Sequence, residues 1–375
     1  MTPDTEEALA ETIKGAQAPL AIKGGGTRGM MIEGDTLSVS GISGISLYEP
    51  GALTIVAKAG TPLSEINAAL AAENQRLAFE PMDHRVLMGT VGEPTIGGVI
   101  AANVSGPRRI QGGAARDYAL GVRYVDGSGA IVKNGGRVMK NVTGYDLVKL
   151  MSGAFGTLGV LTEVALKVLP TPETQGTLLL RGLDDAQSVR AMSAAMGSPY
   201  EVSGAAHCAQ IMEDGAVTAL RVEGFETSVS YRLERLKELL SPICTDVTIG
   251  DAALTEWVWR SVRDAELWKD VPEDIWRISC KPSDAPMLMA RSGAVGWYFD
   301  WAGGLIWVRM PPGGDLRTNL GEFDGHATLV RASDETRAVL PTFHPQKPGV
   351  AKIAAGLRAR FDPRGILNAN LMASV

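Results

Sequence analysis

Cysteine and histidine are scarce in this chain of 375 residues. The three cysteines, Cys208, Cys244 and Cys280, are evenly spaced, and no Cys-x-x-Cys pair occurs. That pattern does not describe a zinc or iron–sulfur site, and the three read as ordinary thiols of a reducing compartment. The four histidines, His84, His207, His326 and His344, form no cluster in the sequence, so no metal site is expected. Positive charge is short as well: 36 Lys and Arg against 42 Asp and Glu leave a net charge of −6. Nucleic-acid binding therefore has no electrostatic basis. No apolar run reaches the roughly 18–20 residues of a membrane-crossing helix. The acidic start, Met1 to Glu7, has no apolar stretch, which predicts no secretory leader. A cytoplasmic protein is expected, with no direct membrane insertion and any contact with the inner membrane made through partners.

Hydrophobic residues make up 45% of the chain, and its length favours two domains over one. Composition divides it near Pro170-Thr171-Pro172. Before that point the sequence is rich in glycine and strand formers. Gly60-Thr61-Pro62 opens a helix with Thr61 as its cap and Leu63, Ile66 and Leu70 on one face. Asp126-Gly127-Ser128-Gly129 makes a hairpin turn between strands. After Pro172, helices with apolar stripes alternate with strands in two β-α-β-β runs. The first comprises strand 177–182, helix 185–196 and strands near 200–206 and 216–223, with a helix at 228–240. The second comprises strand 275–281, helix 284–291 and strands 296–301 and 304–309. This order predicts an antiparallel sheet with helices on one face. All seven tryptophans lie between Trp257 and Trp307; they suit either a partner surface or a tryptophan-rich core. The segment Gly349 to Phe361 predicts an amphipathic helix with Val350, Ile353, Leu357 and Phe361 on one stripe, stopped by Pro363 and Gly365.

Glycine is abundant in one stretch, with sixteen between residues 88 and 160. Glycine is entropically costly in regular structure, so this density implies that backbone must come close to something. Bare N–H groups at close range hold phosphates and flat cofactors. Upstream, Gly24-Gly25-Gly26-Thr27 follows a short strand and could present successive N–H groups and a hydroxyl to an anion. Alone, it suits a flexible loop equally well. It is neither a P-loop nor a Gly-x-Gly-x-x-Gly fingerprint. Thr95-Ile96-Gly97-Gly98 supplies further donors, and Ala101, Ala102, Ser105 and Gly106 continue as a slim wall; tight packing on small residues is the alternative. Arg116 has the charge to meet a phosphate or carboxylate, and Asp117 could fix it or cap a turn. A surface ion pair would account for both and be worth little. Lys140 and Tyr145 are open to similar alternatives.

In order and spacing these pieces resemble a known family. Gly24 to Thr27, Ala59-Gly60-Thr61-Pro62-Leu63, Thr95 to Gly98, Arg116-Asp117, Gly144-Tyr145-Asp146-Leu147 and Gly156-Thr157-Leu158-Gly159-Val160-Leu161-Thr162-Glu163 resemble the FAD-binding domain of vanillyl-alcohol-oxidase-type flavoproteins. The tail Phe361 to Asn368 is similar to the family's C-terminal segment. Within the family, the sequence most resembles the FAD-binding E subunits of bacterial glycolate oxidase, and Val222 to Phe225 with Val229 to Leu233 look like their cap. The resemblance implies an α+β fold: a PCMH-type FAD-binding domain at 1–171, a cap of antiparallel sheet plus helices at 172–340, and a segment at 341–375 returning to the first domain. It assigns the FAD pyrophosphate to Gly24, Gly25, Gly26 and Thr27. It places the flavin and ribityl region near Thr95, Ile96, Gly97, Gly98, Ala101, Ser105 and Gly106. Gly159 and Val160 fall at the adenine side, and Arg116, Asp117 and Asn368 complete the cofactor set. Relatives that attach flavin covalently use a His in the first loop; Gly26-Thr27-Arg28-Gly29 has neither His nor Cys, which implies non-covalent FAD.

Two family features are missing. No His-Gly-Asp-Gly-Asn run occurs in the cap, and the usual Asn-Pro-Gly-Lys ending is Asn368-Ala369-Asn370-Leu371. Oxidising a 2-hydroxy acid needs a base near the flavin and a cation for the carboxylate, and no residue names itself as that base. The resemblance therefore implies an FAD-binding subunit of a glycolate oxidase complex. Its partners would be a His-rich flavoprotein subunit and an iron–sulfur subunit, and its substrate a small 2-hydroxy acid. A self-sufficient 2-hydroxy-acid dehydrogenase and a non-catalytic assembly subunit remain as alternatives.

Overall fold

The computed structural model describes residues 1–137, 144–212 and 215–372; the Lys140 to Thr143 part of the glycine-rich region lies outside them. The chain separates into two compact units. The first holds Met1–Gly106, Gly113–Thr171 and Pro345–Val375, and the second holds Pro107–Gly112 and Pro172–His344. The six residues Pro107–Gly112 thus cluster with the second unit although they interrupt the sequence of the first.

Among the described residues the first unit has nine strands: β1 (Leu20–Lys23), β2 (Asp35–Ser38), β3 (Ile45–Glu49), β4 (Thr54–Lys58), β5 (Gln75–Arg76), β6 (Ala119–Val125), β7 (Ile131–Gly135), β8 (Val160–Lys167) and β9 (Leu169–Pro170). Five form an antiparallel sheet in the order β3-β4-β8-β6-β7. The central β8 is buried at six of its eight positions, so its apolar residues serve both faces. Asp126 makes the β6–β7 turn by accepting from the Ser128 and Ala130 amides, and Gly129 takes the positive φ (+82°) that the turn requires. Helix Leu63–Ala72 buries Leu63, Ile66 and Leu70 against β4 and β8. Thr61 does not cap it: its hydroxyl donates to the Lys58 carbonyl and accepts from the Gly44 amide, and Pro62 holds the cap position. β1 pairs in parallel with β2 and forms a bridge to Leu367, so the two ends of the chain share one apolar cluster with Leu9, Ile13, Val125 and Val160. Helix Pro348–Phe361 buries none of its residues completely. Val350 and Ile353 of the expected stripe are 54% and 68% exposed, while Phe361 packs on Tyr124.

The second unit is one eight-stranded antiparallel sheet of β10 (Thr174–Arg181), β11 (Gly204–Met212), β12 (Gly215–Gly224), β13 (Val247–Gly250), β14 (Asp274–Ser279), β15 (Gly296–Asp300), β16 (Leu305–Met310) and β17 (His326–Arg331). Its order is β13-β10-β12-β11-β15-β16-β14-β17. The two expected runs are both present, and each extends to a β-α-β-β-α-β half. The first half runs β10, helix Asp185–Met196, β11, β12, helix Glu226–Leu240, β13; the second runs β14, helix Ala285–Ser292, β15, β16, helix Leu316–Leu320, β17. Numbered within its half, each shows the spatial order 4-1-3-2, the ferredoxin-like arrangement. The halves join through their second strands, with Cys208 opposite Tyr298 and His207 opposite Phe299. The four helices of the two halves cover one face, where Leu178, Leu180, Leu220, Val222, Trp276, Ile278, Phe299, Ile306 and Val308 share a core. Alternation sends Thr177, Ala219, Arg221, Arg277, Tyr298, Trp307 and Thr328 to the other face.

The tryptophan window is not a surface. Trp259, Trp268, Trp276, Trp301 and Trp307 are each at most 6% exposed, and Trp257 and Trp297 are half-buried. Indoles carry too much apolar area for the sheet to leave in water.

Candidate functional site

The first unit contains an open cleft with an empty volume of about 850 Å³, its mouth included. Roughly 300–1,000 Å³ is usual for small-molecule sites. One wall is the loop after β1. Gly25 lies so close to the neighbouring loop that a Cβ there would sit 1.6 Å from the Glu93 carbonyl oxygen, and a Cβ on Gly92 would meet the Gly25 carbonyl at 1.7 Å. A Cβ on Gly24 would reach Thr95 Oγ1 at 2.3 Å. These glycines are therefore fixed by two backbones packed against each other. Gly26 differs: nothing lies within 4 Å of its Cβ direction, and its φ is +71°. It turns the loop, and its open side faces the cleft.

Thr95 caps helix Ile96–Ala101 by accepting from the Gly98 amide at 3.3 Å. The Glu93 side of this loop is braced by Arg85, which holds Asp83 at 2.8 Å and Glu93 at 2.7 Å; both carboxylates push its guanidinium pKa upward, Asp83 foremost. At the far end, Asn368 is buried in the left-handed region (φ 44°). Its side chain accepts from the Ile22 amide at 2.8 Å and donates to the Phe155 carbonyl at 2.7 Å. Phe155 also has a positive φ (52°), and the Arg28 guanidinium lies 5.1 Å from its ring. Two non-glycine residues in this region at one site are a costly arrangement, held here by the Asn368 hydrogen bonds.

Of the residues assigned from sequence, Gly24, Gly25, Gly26, Thr27, Thr95, Gly98, Ala101 and Asn368 line this cleft together. The others lie elsewhere. Ile96 is in the core and Gly97 packs on Ala59. Ser105 accepts from the Ala115 amide, and the Gly106 amide donates to Phe79. Arg116 is exposed, with its amide on Asn103, and Asp117 accepts from the Ala114 amide. Gly159 packs on Tyr124, where a Cβ would meet the ring at 2.6 Å, and Val160 is buried in β8. The lining also includes residues that sequence did not suggest: Ile22, Arg28, Met82, His84, Val104 and Phe155. Arg28 and Val104 fall within stretches quoted from the sequence, Ile22 and Phe155 border such stretches, and Met82 and His84 carry no local signal.

The donor set fits a dinucleotide. Glycine amides and the Thr27 hydroxyl offer donors for a pyrophosphate, and Arg28 adds positive charge. Gly98, Ala101 and Ala102 make a wall with no bulk, as a planar ring needs. The FAD binding domain family matches residues 1–135. Over 380 aligned residues the sequence is 34% identical to glycolate oxidase subunit GlcE of Escherichia coli (strain K12), covering 98% of this chain and 97% of that protein. The chain belongs to the glycolate oxidase E-subunit family. It is thus an FAD-linked oxidoreductase subunit of α+β fold with FAD as cofactor. Other members of the wider group match in part. Glycolate oxidase subunit GlcD of Bacillus subtilis (strain 168) is 47% identical over 85 residues, 23% of this chain and 18% of that one. D-lactate dehydrogenase of Anaerostipes hadrus is 34% identical over 149 residues, 39% of this chain and 29% of that one. Among solved structures, alkyldihydroxyacetonephosphate synthase superposes with a TM-score of 0.67 at 13% identity, covering 98% of this chain and 76% of that one; at that identity the likeness is one of fold alone.

Proposed function

We propose that this chain is the FAD-carrying subunit of a complex that oxidises glycolate to glyoxylate. The observation that carries the reading is end-to-end similarity to a glycolate oxidase subunit in a chain whose glycine loop, Thr95 wall and Asn368 line one cleft. The oxidation removes two electrons and two protons, and bound FAD supplies the two-electron acceptor. The chain's own part is to hold it without a covalent bond. Gly24 to Thr27 present amides to the pyrophosphate, Gly98 and Ala101 border the ring, and Asn368 fixes the floor through Ile22 and Phe155. Ile96, Gly97, Ser105, Gly106, Arg116, Asp117, Gly159 and Val160 would support that cleft from behind rather than touch FAD. The partners we assign are a His-rich flavoprotein subunit, in keeping with the partial match to GlcD, and an iron–sulfur subunit. The assigned location is cytoplasmic, with the inner membrane reached through those partners; among the described residues no helix is long and apolar enough to cross a membrane.

The test is to purify the full chain alone and with its partners and follow the flavin spectrum under anaerobic glycolate. The reading predicts a yellow chain that releases FAD on denaturation and bleaches only in the complex. A colourless chain whose complex keeps full activity after Gly25→Val would contradict it.

A further inference from the structure

The second unit's sheet carries a cavity of its own, with an empty volume of about 690 Å³, its mouth included. Its floor is two cross-strand rows. In one, Leu179 on β10 lies beside Ala219 on β12, and Ala219 beside Ala206 on β11. Two residues along, Arg181 lies beside Val217, Val217 beside Cys208, and Cys208 beside Tyr298 on β15. Alternation puts both rows on the face turned away from the four helices of the two halves. The roof is helix Ala252–Asp264, which stands outside the repeat. Leu254, Trp257, Val258, Ser261 and Val262 recur at helical spacing and line the cavity from above.

The cavity exists because two large rings hold the roof off the floor. At one end Trp259 stands between helix and sheet. Its indole N–H donates to the Thr177 hydroxyl at 2.9 Å, and a Cβ on Gly204 would meet the ring at 2.7 Å. At the other end Tyr298 is 3% exposed, and its hydroxyl donates to the Val262 carbonyl at 3.0 Å. Between these spacers the floor offers only the methyl groups of Ala206 and Ala219, which leave the gap unfilled. The Ser261 hydroxyl donates to Glu266 at 3.3 Å, and His207 turns its ring to the opposite face, with Nδ1 2.9 Å from the Thr218 hydroxyl. Walls of this kind favour apolar matter over water.

One charge interrupts the apolar lining. Arg181 ends the second row, and with Leu254 and Trp257 it is half-buried at the mouth. No Asp or Glu lines the cavity. Among the described residues the Arg181 side chain has no hydrogen bond and no ion pair. From Arg181 to Tyr298 the row crosses three inter-strand spacings, about 14 Å, which accommodates an extended tail of medium length.

We propose that this cavity binds a medium-chain aliphatic monocarboxylic acid, its tail between the alanine floor and the helix and its carboxylate on Arg181. A planar carboxylate matches the guanidinium fork, and the tail supplies the apolar area that the walls lack. The site is independent of the function proposed above.

The experiment is isothermal titration of the full-length FAD-bound chain with octanoate, hexanoate and octan-1-ol. Wild type is compared with Arg181→Gln and Ala219→Leu, each checked by thermal melting and flavin absorbance. Octanoate should bind about tenfold more tightly than hexanoate, since two further methylenes are buried. Octan-1-ol should bind more weakly than octanoate. Arg181→Gln should weaken octanoate about tenfold and leave octan-1-ol unchanged. Ala219→Leu should weaken both by filling the floor. No octanoate binding, equal affinity for hexanoate and octanoate, or octanoate binding unchanged in Arg181→Gln would each overturn the site. If Ala219→Leu does not fold, the chain-length series and Arg181→Gln decide between the same two outcomes.

Discussion

Two arginines in the second unit sit on the same face of the same sheet, one in each half, and each is stacked on a tryptophan. Arg221 on β12 lies 4.5 Å from the Trp259 ring, and Arg277 lies 4.9 Å from Trp301. Beyond that they part. Arg221 is 1% exposed, donates to the Ser203 hydroxyl at 3.1 Å and carbonyl at 3.3 Å, and lies 3.7 Å from Glu223. Helix Ala252–Asp264 closes over it, with the Trp259 indole N–H on Thr177. Arg277 stacks on the Trp301 ring, which it shares with Arg109, and lies near the Asp300 carboxylate. A duplicated scaffold has thus been finished in two ways: one arginine is tied to Ser203 and Glu223, and the other packs its guanidinium on Trp301 beside a second arginine.

The largest expected effect comes from the satisfied arginine. Arg221→Met removes the guanidinium donors to the Ser203 hydroxyl and carbonyl and one cation from beside the Glu223 carboxylate. It should destabilise the chain by about 2–4 kcal/mol in urea unfolding. Arg277→Gln should change stability by less than about 1 kcal/mol in the same assay, because it removes a stacking contact on Trp301 and no hydrogen bond to a described residue. If the two variants lost stability equally, the contrast between the halves would be gone. A pH dependence comes next. His326 and His344 both titrate below the usual 6.5 in the fold. The unfolded chain therefore takes up protons first as pH falls below about 6.5, and their contribution to stability is lost from there down to the folded values. The fall in denaturation midpoint between pH 7.5 and 5 should be smaller in His326→Gln than in wild type. The smallest effect is chemical: burial, then Asp284, push the Cys280 thiol up to about 12. Alkylation at pH 8 should label it only after unfolding, as peptide mapping would show.

The repeat in this sheet was legible in the sequence because its helices and strands carry clear apolar periods; helix 185–196 matches Asp185–Met196 residue for residue. Helix Ala252–Asp264 was not, since its tryptophans drew attention as a cluster instead of as positions on one stripe. The join of the halves at β11 and β15 is a long-range pairing with no local signal. In the first unit's cleft, the glycine-rich loop and Asn368 of the lining fall in motifs quoted from the sequence. Gly97 and Gly159 could not be sorted from the lining glycines, because close packing on Ala59 or Tyr124 and close approach to a ligand demand the same missing Cβ. Arg277 is one arginine between two apolar residues of a strand; its stacking on Trp301 beside Arg109 is a long-range meeting that only the assembled sheet reveals.

The most direct measurement is the flavin content of the purified full chain beside that of Gly25→Val. The account predicts a yellow wild-type chain that releases FAD on denaturation, and a folded variant that holds none because the added side chain forces apart the two packed loops. A colourless wild-type chain, or a Gly25→Val chain that holds FAD equally, would contradict it.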